Sequence, residues 1–326
     1  MPAELACGRS GRRRPLEAAR PLEQRAELRG AQWRGSLRLL YKPGAMDSEP
    51  EHYGVVGHPV AHSWSPFIHG MFAKQTGQSL SYRLFDVPPH EFRERIVGFF
   101  AGGGRGLNVT LPHKMAAAEM ADELTPRATR AGAVNTLAAR GDERLLGDNT
   151  DGAGLVRDLC DNLGVVITRR RILIIGAGGA TRGVLSPLLT LEPSQLVIAN
   201  RTPERAAALA QDFQDLGSVS GVGFSDLTAE PFDLIINATS ASLKGEVPNV
   251  PAGALGKDTF CYDMAYGKTD TAFIRWARGL GSSRAAQGWG MLVEQAAESF
   301  RVWRGIRPST TPVLAALKER AEGAGT

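Results

Sequence analysis

Arg171-Ile-Leu-Ile-Ile175-Gly176-Ala177-Gly178-Gly179-Ala180-Thr181-Arg182-Gly183 decides the fold. Five residues of strand-forming character run straight into a glycine turn. Val184-Leu-Ser-Pro-Leu-Leu189 then continues as a helix. Gly176 permits the tight turn. Gly178 and Gly179 let the backbone approach a pyrophosphate at the helix N-terminus, where free N–H groups and the dipole favour an anion. Ala177 and Ala180 complete the loop. Thr181 occupies the third position of the usual GxGxxG pattern, and Gly183 is expected to serve close helix–strand packing instead. A purely structural glycine turn is the competing reading.

The next strand sharpens the assignment. Gln195–Ala199 ends in Asn200-Arg201-Thr202-Pro203-Glu204-Arg205. Enzymes that bind NAD place an acidic residue about 20 positions past the glycines, against the ribose 2′-hydroxyl. Here that place holds Asn200 and Arg201. A guanidinium attracts a 2′-phosphate and can bind it bidentately, whereas a carboxylate repels it. Thr202 reads as an N-cap with Pro203 at N1, and Arg205 is close by. The expected cofactor is NADP.

Outward from this motif, short apolar runs alternate with helical patterns. Strands are expected at Tyr53–Gly57, Ser81–Phe85, Gly106–Thr110, Ala133–Leu137, Arg171–Ile175, Gln195–Ala199, Phe232–Asn237 and Thr259–Met264. Helices are expected near Pro66–Gln75, Glu91–Phe100, Met115–Glu123, Gly152–Asn162, Ala180–Thr190, Pro203–Phe213, Ala272–Arg278, Met291–Trp303 and Pro312–Ala321. Such alternation implies parallel α/β units. The 326 residues suit two domains. Seams follow Asn149–Thr150 and lie in the glycine-rich Gly279–Gly290. The expected architecture is two α/β domains: a split substrate-binding domain (51–150 plus 288–326) and an inserted Rossmann-like NADP-binding domain (151–287).

Charge and composition remove several classes. The net charge of +4 conceals a division: residues 1–45 carry ten Lys and Arg against four Glu, and the remainder is net −2. The body therefore has no nucleic-acid footprint. Residues 1–50 are expected to be a disordered basic extension, with Met46 an alternative start. Glu4, Glu17, Glu23 and Glu27 argue against a transit peptide, and no secretory h-region is present. Arg12-Arg13-Arg14 is the one element a nucleic-acid arm could use. The uncharged stretch Tyr53–Ala73 holds three histidines and two prolines, so no membrane span is expected. Cys7, Cys160 and Cys261 are too few and too scattered for a disulfide framework or cysteine-held zinc. That usage fits a reducing cytoplasm. His58, His62, His69 and His113 show no compact ligand spacing, so no metal is expected.

The remaining motifs cluster at strand ends, where open α/β sheets place ligand sites. They are His62-Ser63-Trp64-Ser65-Pro66, Asn108-Val-Thr110-Leu-Pro-His113-Lys114, Gly132-Ala-Val-Asn135-Thr136 and Asp148-Asn149-Thr150-Asp151-Gly152. Taken with the glycine loop, Asn200–Arg205, Asn237-Ala-Thr-Ser240, Tyr262-Asp-Met-Ala-Tyr266 and Gly290-Met-Leu-Val-Glu-Gln295, they resemble the shikimate dehydrogenase family. The resemblance runs in order from about residue 51 to 320; residues 1–50 have no counterpart in it.

The resemblance implies reversible hydride transfer between NADPH and 3-dehydroshikimate, giving shikimate in the aromatic amino-acid pathway. It implies Lys114 and Asp151 as the acid–base pair. Ketone reduction needs a proton donor at the forming alkoxide, and an ammonium both donates and stabilises negative charge. Which of the two is the base stays open, so the pair is read as a proton-relaying dyad. A surface lysine and an N-cap aspartate are the competing readings. The resemblance further places Ser63 and Ser65 at the substrate carboxylate, assisted by Tyr266. It places Thr110, Asn135, Asp151 and Gln295 at the ring hydroxyls, and Met264 and Gly288 near the nicotinamide. Ser65 before Pro66 also reads as a plain N-cap, and Met264 as core. A homodimer is expected on fold-level analogy.

Two departures stand out. Ser242 occupies a position where the resembled family usually has glycine. If that position needs positive φ, serine is strained there and the nicotinamide geometry is affected. Pro126 replaces a residue that is often polar, with little consequence expected. The alternatives are a quinate/shikimate dehydrogenase of broader cofactor use, a folate-linked NADP dehydrogenase and a non-catalytic NADP-binding relative. The Asn200-Arg201-Thr202 run argues against the first, the paired serines and GMLVEQ against the second, and the presence of both dyad residues against the third.

Overall fold

The computed structural model describes residues 49–228 and 230–323. The expected basic extension therefore lies almost entirely outside the described residues. The chain opens with β1 (Glu51–Gly57), α1 (Ser65–Thr76), β2 (Leu80–Asp86), α2 (Phe92–Ala101), β3 (Gly104–Val109), α3 (Lys114–Met120), β4 (Glu123–Leu124) and α4 (Pro126–Ala131). It continues with β5 (Thr136–Ala139), β6 (Leu145–Asp148) and α5 (Asp151–Arg157), which runs into a π-helical turn over Asp158–Asn162. There follow β7 (Arg171–Ile175), α6 (Gly179–Leu189), β8 (Gln195–Asn200), α7 (Pro203–Phe213), β9 (Val219–Gly223) and β10 (Phe232–Asn237). Last come β11 (Leu255–Asp263), α8 (Ala272–Gly279), β12 (Ala285–Gln287), α9 (Trp289–Arg304) and α10 (Thr311–Gly323).

The strands form two six-stranded sheets. The second has the order β12-β11-β10-β7-β8-β9 and is parallel throughout. Counted within this sheet, the order is the doubly wound one, and β7 and β10 flank its switch point. β7 explains why. Ile172 and Ile174 point into a core shared with α5, α6 and α7, while Leu173 and Ile175 point into a core shared with α8. A strand buried on both faces reads as a continuous apolar run.

The first sheet has the order β2-β1-β3-β5-β6-β4. It is mixed: β1 pairs in parallel with β2 and β3, but β5 runs antiparallel to both β3 and β6. The expected parallel units thus hold for only part of it. The short turn at Asp142 lets β5 and β6 close as a hairpin, which needs no crossover helix. Beneath one face lie Phe92, Ile96 and Phe100 of α2 with Ala117 and Ala128. Over the other, Ile68 and Phe72 of α1 pack with Val293, Ala297 and Phe300 of α9 and Val313 and Leu317 of α10. The C-terminal helices thus return to the first sheet after the second is complete. Among the described residues, no helix is long and apolar enough to cross a membrane.

Helices join the two sheets directly. A Cβ on Gly152 would lie 2.5 Å from the Gly183 carbonyl oxygen, and one on Gly183 3.0 Å from Asn149 Oδ1. Gly183 therefore serves the close approach of α6 to the Asn149–Gly152 turn, not the helix–strand packing expected of it. Arg182 donates to the Ala131 carbonyl at 2.9 Å and to Asp212 at 2.9 Å, tying α4 to α6 and α7.

Candidate active site

The polar strand ends converge. Lys114 is the first residue of α3 and Asp151 the first of α5. Lys114 Nζ donates to Asp151 Oδ2, and both side chains are largely buried. The other carboxylate oxygen, Oδ1, accepts from Asn135 Nδ2 at 2.9 Å. Asn135 Nδ2 also reaches Thr150 Oγ1 at 2.8 Å and Gln295 Oε1 at 3.3 Å. Its Oδ1 accepts the Thr150 backbone N–H at 2.8 Å, which fixes which way the amide faces. Lys114, Asn135, Asp151 and Gln295 are thus brought together. Neither competing reading of the pair holds. Lys114 is not a surface lysine, and the cap position of α5 belongs to Thr150, leaving the Asp151 carboxylate to Lys114 and Asn135.

In the loop before α1, Ser63 Oγ donates to Ser65 Oγ at 3.1 Å. Ser65 is not the cap of α1. The helix begins at Ser65, Trp64 holds the cap position, and no side-chain cap bond forms. The Trp64 ring lies 6.3 Å from Trp289, which in turn lies 4.6 Å from Tyr266, so Trp289 bridges the serine loop and Tyr266. Burial pushes the Tyr266 phenol up to about 12, so it is a hydrogen-bond donor at neutral pH. Thr110 is fixed through its backbone, donating to Val56 O at 2.9 Å and accepting from His113 N at 3.0 Å.

Two of the four histidines, His69 and His113, are buried in the fold. His113 is buried, hydrogen-bonded to the Val87 carbonyl at 2.7 Å and stacked on Phe92; burial lowers its pKa. His69 is wholly buried against Tyr82, and burial drives it down to about 3. Among the described residues, no group of three or more His, Cys, Asp or Glu is arranged to hold a metal ion.

The glycine loop lies at the switch point of the second sheet. Gly176 has φ +106°, and a Cβ there would meet Thr239 at 2.9 Å. Thr181 closes the turn by donating to the Gly176 carbonyl at 2.7 Å. A Cβ at Gly178 or Gly179 would meet nothing within 4 Å, so the backbone there stands open to a ligand. Gly178 is the cap residue of the eleven-residue α6, whose free N–H groups face the same space. Arg201, Thr202 and Arg205 are exposed beyond the end of β8. Thr202 occupies the cap of α7 with Pro203 next, as expected, but its side chain forms no cap hydrogen bond. Asn200 Nδ2 instead donates to the Thr202 carbonyl at 3.0 Å. These features fit a dinucleotide with a phosphate on its ribose.

Between loop and dyad, Met264 N donates to Asn237 O at 2.9 Å, and the Met264 side chain packs against the core. A Cβ on Gly288 would lie 2.5 Å from the Met264 carbonyl oxygen, so that position admits only glycine. Ser242 corrects an expectation. The non-glycine residues with positive φ among the described residues are Glu143, Arg169 and Glu192, so the strain foreseen at Ser242 does not arise. It sits in a 3-10 turn, Ala241–Lys244, and its hydroxyl is engaged.

Several contributing residues were given no role from the sequence, although Asn108, Thr136 and Asp263 stand inside its motifs. Asn108, Thr136 and Ser299 form a buried polar layer behind Asn135. Asp263 gathers Asn237, Ser242 and Thr271. A polar residue inside the apolar run Phe260-Cys-Tyr-Asp263-Met is the signal that marks Asp263. For Ser299 the signal is its place one helical turn after Gln295.

Comparison with known proteins agrees with this geometry. Residues 55–137 match the Shikimate dehydrogenase substrate binding domain. Residues 159–247 match Shikimate / quinate 5-dehydrogenase, and residues 288–318 the Shikimate 5'-dehydrogenase C-terminal domain. The chain is 54% identical over 271 residues to a Shikimate dehydrogenase (NADP(+)) of Methylococcus capsulatus, covering 83% of this chain and 97% of that one. Among solved structures it is similar to an Ael1 enzyme from Pseudomonas putida (44% identity, TM-score 0.77, 82% of this chain and 98% of that one). It is also similar to a shikimate 5-dehydrogenase from Thermus thermophilus in complex with NADP(H) and shikimate (33% identity, TM-score 0.73, 83% and 99%). The chain belongs to the shikimate dehydrogenase family.

Proposed function

We propose that this protein catalyses the reversible NADPH-dependent reduction of 3-dehydroshikimate to shikimate, with Lys114 and Asp151 as the proton-transfer pair. The observation that carries the reading is the largely buried Lys114–Asp151 contact, held in place by Asn135.

NADPH, when bound, supplies the hydride that reaches the carbonyl carbon. The open backbone at Gly178 and Gly179 and the first turn of α6 would hold its pyrophosphate, with Ala177 and Ala180 in the same loop. Asn200, Arg201, Thr202 and Arg205 would meet the ribose 2′-phosphate, since a guanidinium pairs with phosphate bidentately. Met264 and Gly288 would line the nicotinamide end. As the carbonyl carbon gains hydride, negative charge grows on its oxygen. The Lys114 ammonium stabilises that charge and passes a proton to it, and Asp151 holds the lysine in register and shares the proton. In the reverse direction the pair takes the hydroxyl proton. Thr110, Asn135, Asp151 and Gln295 read the ring hydroxyls, because amides offer both donor and acceptor. Ser63 and Ser65 donate to the substrate carboxylate with the phenol of Tyr266.

Residues 51–150 with 288–326 form the substrate part in this reading, and 151–287 the NADP part; the three matched segments fall within these bounds in that order. The protein acts as a homodimer in the cytoplasm, a reading supported by family analogy and by the free Cys160 and Cys261. The test is turnover of the purified full chain with shikimate and with quinate, each against NADP and NAD. Rapid turnover with shikimate and NADP alone is expected. Comparable turnover with NAD would contradict the assignment of Arg201, and comparable turnover with quinate the assignment of shikimate as the substrate.

A further inference from the structure

We propose that Ser299 is a positioning residue of this reaction, setting the direction of the hydrogen bonds that turn the Asn135 amide toward Asp151. The inference rests on the role given above to Asn135 and Asp151.

Ser299 lies on α9, wholly buried, and its hydroxyl meets four groups. It reaches the Gln295 carbonyl at 3.0 Å, Asn108 Nδ2 at 2.9 Å, Thr136 Oγ1 at 2.8 Å and Thr150 Oγ1 at 3.1 Å. Proton counting limits the directions. A hydroxyl carries one proton and two lone pairs. The Ser299 proton goes to the Gln295 carbonyl, which can only accept. Two lone pairs then face three groups. Asn108 Nδ2 takes one, and that amide's Oδ1 is left to accept from Tyr82 OH at 2.8 Å. The other receives the proton of one threonine, Thr136 or Thr150, and the second threonine donates to Asn135 Oδ1.

In both arrangements Thr150 Oγ1 accepts one N–H of Asn135 at 2.8 Å. The other N–H of Asn135 goes to Asp151 Oδ1 at 2.9 Å. Remove the Ser299 oxygen, and both threonine protons turn to Asn135 Oδ1, 2.8 Å from Thr136 and 3.1 Å from Thr150. That oxygen also takes the Thr150 backbone N–H, so three donors would compete for two lone pairs. Rotation of the Asn135 amide away from Asp151 relieves the competition and spoils the dyad.

The test is a double-mutant cycle in the full-length enzyme. Ser299→Ala removes only the hydroxyl. It is expected to lower kcat/KM for shikimate about tenfold, the effect of one unsatisfied buried donor, and to leave KM for NADP within about twofold. On an Asn135→Ala background the same change is expected to add less than about twofold, because its effect passes through Asn135. Full activity in Ser299→Ala overturns the proposal, as does the same tenfold loss repeated on the Asn135→Ala background, which marks a structural role. If Asn135→Ala alone leaves kcat/KM unchanged, the site reading fails first and the proposal falls with it.

Discussion

Ser242 Oγ donates to Oδ2 of the wholly buried Asp263 at 2.6 Å, joining the loop after β10 to the end of β11. Asp263 also receives Thr271 Oγ1 at 2.5 Å, Asn237 Nδ2 at 3.0 Å and the Ala265 backbone N–H at 3.1 Å. Four donors converge on one carboxylate between Met264 and the glycine loop. Serine at this position thus tethers the loop after β10 to the end of β11, next to Met264.

That tether has a pH signature. Burial raises the Asp263 pKa above its usual value, and the Ser242 hydroxyl opposes the rise. A raised native value means the folded state favours the protonated carboxyl, so stability is fullest below the ordinary carboxylate range and falls as pH rises through the native value. Ser242→Ala raises the native value further. Its loss, about 1–3 kcal/mol at neutral pH, should shrink toward about pH 4. Urea unfolding across that range checks it; a gap between variant and parent that does not change with pH contradicts the account.

Arg127 makes the opposite prediction. Burial would raise Asp148, but the hydrogen bonds and charge of Arg127 outweigh it and hold the carboxyl below its usual value. The guanidinium meets Asp148 at 2.5 Å and 2.7 Å and Glu298 at 3.0 Å. Stability from Asp148 is therefore present above the ordinary carboxylate range and lost as pH falls through the native value. Arg127→Met leaves both carboxylates buried without this partner and should cost about 3–5 kcal/mol. Burial then acts on Asp148 with less opposition, so the rise in stability from about pH 3 to pH 5 should flatten or reverse. Parallel stability curves for variant and parent would show that Arg127 does not set the Asp148 charge.

The second sheet was readable because its strands carry their burial as apolar runs. Arg171–Ile175 and Phe232–Asn237 have the expected bounds. β9 and β12 were not foreseen, since Val219-Ser-Gly-Val-Gly223 is broken by serine and glycine and Ala285-Ala286-Gln287 has no β-branched or aromatic residue. β6 has two apolar residues, yet all four of its residues are buried. α4 is six residues long, marked by Thr125 accepting from Ala128 N and by Pro126 in its first turn, and is too short for periodicity to detect. In the candidate site, Lys114, Asn135 and Asp151 were legible as polar groups at strand ends, and the structure brings them together. Ser299 and Asp263 were not, because they act through other side chains and only the folded chain brings those partners to them.

Arg201 tests the cofactor assignment. It is exposed beyond β8, where a carboxylate would bind a free ribose hydroxyl. Arg201→Ala should weaken NADP about tenfold to a hundredfold, the worth of charge-assisted phosphate bonds, and NAD hardly at all. Binding titrations with both cofactors decide it; equal losses would remove the 2′-phosphate role.

In the proposed reaction Lys114, in contact with Asp151, moves the proton that accompanies hydride transfer. The decisive measurement is shikimate-dependent NADP reduction by Lys114→Ala, beside a titration of NADPH binding. A kcat lower by about 10²–10⁴ is expected, with NADPH affinity nearly unchanged. A folded variant that keeps most of its turnover would contradict that role.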